Sequence, residues 1–398
     1  MLFSRISNQS HSKYIISYLL SKILERTAYY SIFSVILLYA DSLNFTRMEM
    51  LKYYDLFLYS MFITMFIGAV MGDLLIGNKK IMITGAILMS VAALLFSNPS
   101  KNYFFTGLII FAIGNGLYAP NFLSGFAKLY HKNFYLYEAG YIILLFVINI
   151  AGLIGPLIIF SFVEKNDFST GFIVAALLMF TSAITAFFTK QEYIQIEEKS
   201  KEEQKKSSRI VIFSVFSFGI FWYIFNGYFI NYNKLFYQLG GAQKDFFFKS
   251  IDATNIYQFF SFIFMITTGV VFTIFYINRY AKILFGIILM IITFSILAIL
   301  PLELVNNNPL YYLLITNIFV ALAELLITPS MYALIARYAN PKYYALLFAL
   351  IYMPFNLLMY FTVIDRKIEL NLYFYQLLLS LLYFGFLYLS KKSRERNI

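Results

Sequence analysis

The sequence predicts an all-α membrane protein of twelve transmembrane helices, arranged as two six-helix pseudo-symmetric halves. Three observations carry that prediction. Of the 398 residues, 61% are hydrophobic and only 13% charged, where a soluble globule carries about 25% charged residues. Apolar segments recur at 14–40, 53–77, 81–98, 103–127, 135–163, 169–189, 210–232, 254–277, 281–301, 309–337, 341–364 and 370–390, each about 18–29 residues and so long enough to span as a helix. A hydrophilic, mixed-charge run then divides these segments six and six, which sets the expected boundaries: an N-terminal half at 1–189, a charged cytoplasmic linker at 190–209 with no chemistry of its own, and a C-terminal half at 210–398.

The first segment carries Lys22, Glu25 and Arg26 where a helix should be crossing the bilayer. On the insertion scale each charge costs roughly 2.5–3.5 kcal/mol at mid-depth. Lys22, Glu25, Arg26 and Tyr29 fall at i, i+3, i+4 and i+7, one face of a helix on which opposite charges can pair. That face must look into a protein interior or a watery cavity. Snorkelling to the interface is the alternative, but Glu25 lies roughly 16 Å beyond Tyr14 along a helix, near the middle of the hydrocarbon core.

Between the second and third segments, Gly68 to Lys80 combines helix-packing glycines with Asp73, which can accept hydrogen bonds from a neighbouring helix end. Lys79 and Lys80 hold that loop in the cytoplasm. The fourth and tenth segments each carry an internal proline, Pro120 and Pro329, followed at the same distance by Lys128 and Arg337. Repeated halves with matched helix interruptions point to a carrier whose site lies near the midplane.

Other classes are excluded one by one. There is no cysteine, so disulfides, thiolate metal sites and cysteine nucleophiles are absent. His11 and His131 have no partner at metal-ligand spacing, no Walker loop offers ATP as an energy source, and no metal or cofactor is expected. The net charge of +11 reads as topology and attraction to lipid headgroups, not as a nucleic-acid surface. With the N-terminus in the cytoplasm, most of the 31 basic residues lie inside, and residues 1–13 do not resemble a cleaved signal peptide. The 20% aromatic content is expected as lipid-facing bulk and interfacial belts. An enzyme should cluster acid, base or nucleophile groups at a membrane face, and a sensor should append a soluble domain; neither pattern is present.

The Gly72-Asp73 to Lys79-Lys80 stretch resembles the loop signature of the major facilitator superfamily, in which an acidic residue and a basic loop latch helices in one state of the cycle. Several further segments together resemble one branch of it, the proton-dependent oligopeptide transporters (POT). Glu25, Arg26, Tyr29 and Tyr30 match that family's first-span motif. Gly114-x-Gly116-Leu-Tyr-x-Pro120-Asn121 is similar to its fourth-span pattern, Ile148-Asn149 through Pro156 to its fifth, Phe221-Trp222 to its seventh, and Glu324-Leu325-Leu326 through Pro329 to its tenth. The departures fall on charges: Lys22 stands where the family has glutamate, Thr27 where it has phenylalanine, and Ala119 where it has the fourth-span lysine. Asn226, Gly227, Phe62 and Leu145 replace other motif residues.

The resemblance implies proton-coupled uptake of short peptides or peptide-like zwitterions by alternating access. The protein would act as a monomer in a bacterial inner membrane, with both termini cytoplasmic. It implies Glu324 for the substrate ammonium, Arg26 or Lys22 for its carboxylate, and Tyr29, Tyr30, Asn149, Trp222 and Asn226 as pocket lining. Glu25, with Lys22 and Arg26 beside it, becomes the proton-coupling group, and Asp73, Lys79 and Lys80 the latch. The replaced charges leave a second reading on the same fold: a carrier or exporter of another amphipathic solute, such as a drug, nucleoside or metal-chelating metabolite, with altered or no proton coupling.

Overall fold

Helix α1, Ile15–Ser42, holds the charged face buried along its first half and packs chiefly against the fifth and sixth helices. The computed structural model describes residues 3–5, 11–131, 134–165, 167–190, 200–240, 261, 263–268, 271, 275–299, 309–353 and 372–395. After a short turn, α2 (Arg47–Val70) starts on a capping box in which Thr46 and Glu49 satisfy each other's backbone N–H groups, the usual solution for orphan donors at a helix start. It runs on through a π-helical turn, Met71–Leu75, and ends at Gly77, whose φ of +102° is open to glycine at little cost.

Three further helices continue the first group: α3 (Asn78–Phe96), α4 (Lys101–Lys128) and α5 (Phe134–Val163). Next, α6 (Phe168–Phe187) is capped by Asp167, whose side chain accepts from the Thr170 N–H. These six helices pack together, α4 against α2 and α3, and α1 against α5 and α6. A Cβ added at Gly116 would come within 2.4 Å of Thr64 backbone, and one at Gly68 within 2.4 Å of the Gly116 carbonyl. The α2 and α4 backbones therefore touch directly, as small residues permit between membrane helices.

The second group consists of α7 (Lys201–Gly240), α8 (Arg279–Ile299), α9 (Pro309–Tyr338) and α11 (Leu372–Glu395), in which α8 packs on α9 and α11, and α9 on α7. Between them a 3-10 turn at Pro341–Tyr343 leads into α10 (Tyr344–Leu350), which packs on α2 and α4 of the first group.

Among the described residues, seven helices are long and apolar enough to cross a membrane, with shorter apolar stretches at Tyr59–Leu75 and Gln376–Leu387. Most of the expected segment 254–277, and 354–364 of the next but two, lie outside the described residues. Helix α7 begins at Lys201, within the charged run 190–209. One short strand pair accompanies the helices: β1 (Phe3–Arg5) pairs antiparallel with β2 (Phe275–Ile277), two segments outside helices whose backbone groups satisfy each other. One expectation changes: the aromatic residues are not chiefly a lipid-facing coat, because among the described residues the largest fully buried side chains are all Tyr or Phe, among them Tyr118, Tyr137, Tyr141, Phe111 and Phe122. They fill space between helices, with rings in contact along α4 from Tyr118 to Phe122 to Phe126.

Candidate functional site

On α1 the i, i+3 and i+4 spacing does what helical geometry allows. Lys22 Nζ bonds Glu25 Oε2 at 2.9 Å and Arg26 Nε bonds the same oxygen at 3.0 Å. Glu25 is fully buried, Lys22 nearly so. Lys22 does not snorkel. Its ammonium lies 4.9 Å from the ring centroid of Tyr118 and 4.8 Å from that of Phe122, both on α4, where ring quadrupoles attract a desolvated cation. The Arg26 guanidinium stands 4.5 Å over the Tyr29 ring. Because both cations take Oε2, Glu25 Oε1 is left buried with no hydrogen-bond partner among the described residues. A buried carboxylate oxygen without a protein donor is costly, which sets Oε1 apart from Oε2 chemically.

Tyr29 stacks on Phe33 at 5.2 Å and meets the edge of Tyr30 at 5.7 Å. Glu324 is buried on α9, five residues before Pro329. Trp222 on α7 has a buried indole N–H without a partner among the described residues and faces Tyr352 at 6.2 Å between ring centroids. Asn226 turns its amide back onto the Trp222 carbonyl at 2.8 Å. Asn149 on α5 does likewise to Leu145, at 3.0 Å, and touches the Met265 sulfur at 3.8 Å. Pro120 and Pro329 sit inside helices that continue through them.

Asp73 joins three elements. Its Oδ1 accepts from Asn78 Nδ2 at 2.9 Å, and its Oδ2 accepts from the Leu346 backbone N–H at 2.9 Å, an orphan donor in the first turn of α10. Asn78 in turn donates to Asn121 on α4 and accepts from Lys128 at 2.6 Å. The cation of this network is therefore Lys128. Lys79 instead lies over the Phe187 ring at 5.3 Å, and Lys80 is exposed.

Sequence reasoning missed four things here. Tyr118 and Phe122 around Lys22 left no local signal, nor did Asn78 and Lys128 in the Asp73 network, nor Tyr352. Glu138 on α5, bonded to Arg279 and Lys282 of α8, with all three buried, could have been found. It is a charge inside an apolar segment, the same signal that singled out Glu25.

Residues 18–363 match the Major Facilitator Superfamily, and the chain belongs to that superfamily. It is a multi-pass membrane transporter and not an enzyme. Within the superfamily it resembles the POT transporters. The fold is similar to that of the POT family transporter PepTSo, with a TM-score of 0.64 at 10% identity over 98% of this chain and 100% of that one. It is also similar to the human organic anion transporter MFSD10, with a TM-score of 0.69 at 12% identity over 94% of this chain and 98% of that one. In sequence, dipeptide and tripeptide permease B of Aliivibrio fischeri is 26% identical over 166 residues, 41% of this chain and 34% of the permease. A di-/tripeptide transporter of Lactococcus lactis subsp. lactis is 24% identical over 164 residues, 39% of this chain and 33% of that protein. The chain thus spans about a third of the length of these curated relatives.

Proposed function

We propose that this carrier takes up short peptides or peptide-like zwitterions by alternating access, coupled to protons, with its solute held between Arg26 and Lys22 on one side and Glu324 on the other. The observation that supports this most is the presence of buried or half-buried charge on both helix groups, Lys22 and Arg26 on α1 and Glu324 on α9, a separation of charge suited to a molecule with an ammonium at one end and a carboxylate at the other. Tyr29, Tyr30, Asn149, Trp222 and Asn226 line the path between them. The bare Oε1 of Glu25 is the seat of the coupling proton: protonated, it no longer holds both cations, and Arg26 is free to bind a carboxylate. Asp73 is the latch, acting through Leu346. The halves are 1–189 and 210–398, the termini are cytoplasmic, the site is the bacterial inner membrane, and the working unit is a monomer.

A second reading keeps the fold and changes the solute to another amphipathic molecule. It is favoured by Lys22, whose engagement with Glu25 puts a second cation on α1 where a zwitterion needs only one. Purified protein in proteoliposomes separates the two. Dipeptides should compete with one another for uptake driven by an inward proton gradient and should raise the thermal midpoint in detergent. No shift and no uptake across a dipeptide panel would leave the second reading standing.

A further inference from the structure

One short segment of the second helix group, Phe275–Lys282, is tied at two points to elements that belong to the first. The first tie is main chain. β1 lies antiparallel along β2 in the register Phe3 to Ile277, Ser4 to Tyr276 and Arg5 to Phe275. The second is charge. Arg279 Nε bonds one oxygen of Glu138 and Lys282 Nζ the other, with both cations 4% exposed and the carboxylate 3%. β1 is covalently part of the first group, ten residues ahead of Ile15 of α1, and His11 between them contacts the Tyr130 hydroxyl beyond the end of α4 at 3.0 Å. In the proposed topology all of these residues lie at the cytoplasmic end, where Asp73 and Leu346 also meet.

We propose that the N-terminal strand is a releasable bolt of the cytoplasmic closure, which must leave β2 before the two helix groups can part at that end. This rests on the alternating-access reading given above. A two-stranded ladder of three residues is marginal by itself, so it can break and remake in every cycle while the helices stay intact. The Glu138 knot is of a different kind, because separating its partners strands buried charges. With the strand seated, Phe275–Lys282 is held along its backbone in the position that presents Arg279 and Lys282 to Glu138. With the strand off, those side chains lose that support. The strand thereby sets how long the carrier stays closed toward the cytoplasm without touching the solute site.

The test uses the absence of cysteine in the chain. Ser4→Cys with Tyr276→Cys places two thiols on directly opposed positions, whose Cα atoms in an antiparallel ladder are about 4.5–5.5 Å apart, within disulfide range. The readout is the reaction of a probe thiol at Ala345→Cys, which is buried in a cluster with Ala69 of α2, with a bulky maleimide added from the cytoplasmic face. Ala349→Cys, in the same cluster, serves if the first probe does not fold. Oxidation should cross-link the pair and slow labelling of the probe at least tenfold, reversed by reduction. Deleting residues 3–5 should speed labelling at least threefold. The proposal is overturned if the pair fails to cross-link, or if cross-linking and deletion both leave the labelling rate unchanged. No solute is needed in either arm, so this outcome is independent of whether peptides are the substrate.

Discussion

Among the described residues two buried knots have the same composition, one carboxylate with a lysine and an arginine, and they are built in opposite ways. In the α1 knot all three residues come from one helix within a single turn, and both cations crowd onto Glu25 Oε2. In the other, Glu138 on α5 gives one oxygen to Arg279 and the other to Lys282, both on α8. The first survives any motion of whole helices, since its members move together, and it keeps one oxygen unsatisfied. The second has no spare acceptor and is broken by any motion that separates α5 from α8. One knot is therefore suited to exchange a ligand, the other to hold a conformation.

Glu138→Gln should separate the behaviour of the two knots most strongly. Removing the charge of one partner from a buried pair costs about 3–5 kcal/mol, and here the cost falls on the conformation closed at that end. A thiol placed at Ala345 should label much faster in this variant, with helix content by circular dichroism unchanged. An unchanged labelling rate would mean that the α5 to α8 knot does not hold the closed form. The next largest effect belongs to the solute side. Glu324→Gln keeps shape and removes the charge opposite Arg26, and should weaken dipeptide binding at least tenfold, about 1.4 kcal/mol, in a ligand thermal-shift titration. Retained affinity would take Glu324 out of the pocket.

Third is the origin of Lys22. Its ammonium rests against Tyr118 and Phe122, on either side of Ala119, so the α1 lysine delivers its charge to the α4 surface. Lys22→Glu should be damaging, because two carboxylates would then face Arg26 and one must hold a proton. Adding Ala119→Lys should recover part of the activity, with a coupling of about 0.5–3 kcal/mol in a double-mutant cycle of pH-dependent uptake. Strict additivity would show that the two positions share no network. The smallest effect is at Lys79→Ala, which loses only a contact over Phe187 worth about 0.5–1 kcal/mol. Turnover should change little, whereas Asp73→Asn should slow turnover well beyond any loss of binding, measured as separate KM and kcat effects.

The charged face of α1 was legible in the sequence because a charge in an apolar helix is expensive wherever it sits, so its mere presence predicts an interior partner. Glu25, Lys22 and Arg26 needed only helical periodicity to be grouped. Asp73 was legible from its loop, but its cation was not. Lys79 and Lys80 are adjacent in sequence, while Lys128, the residue that reaches the network through Asn78, is adjacent only in space. The same limit hid the partners of Glu138, which lie beyond 140 residues downstream. Local pattern shows that a buried charge must be compensated; it does not say from which helix. The β1 to β2 pairing was illegible for a related reason, since three residues are too few to show a period.

The direct backbone contact of α2 with α4 at Gly68 and Gly116 has a mechanical consequence. Helices that touch main chain to main chain leave no compressible layer of side chains between them, so they tilt as one lever. A rod the length of α4, 28 residues or about 42 Å, that rocks about 10° around its middle swings each end by nearly 4 Å, again from the rise per residue. That travel exceeds the whole length of the Asp73 to Leu346 hydrogen bond, so a slight rearrangement at the level of Tyr118 is magnified into complete rupture at the tip.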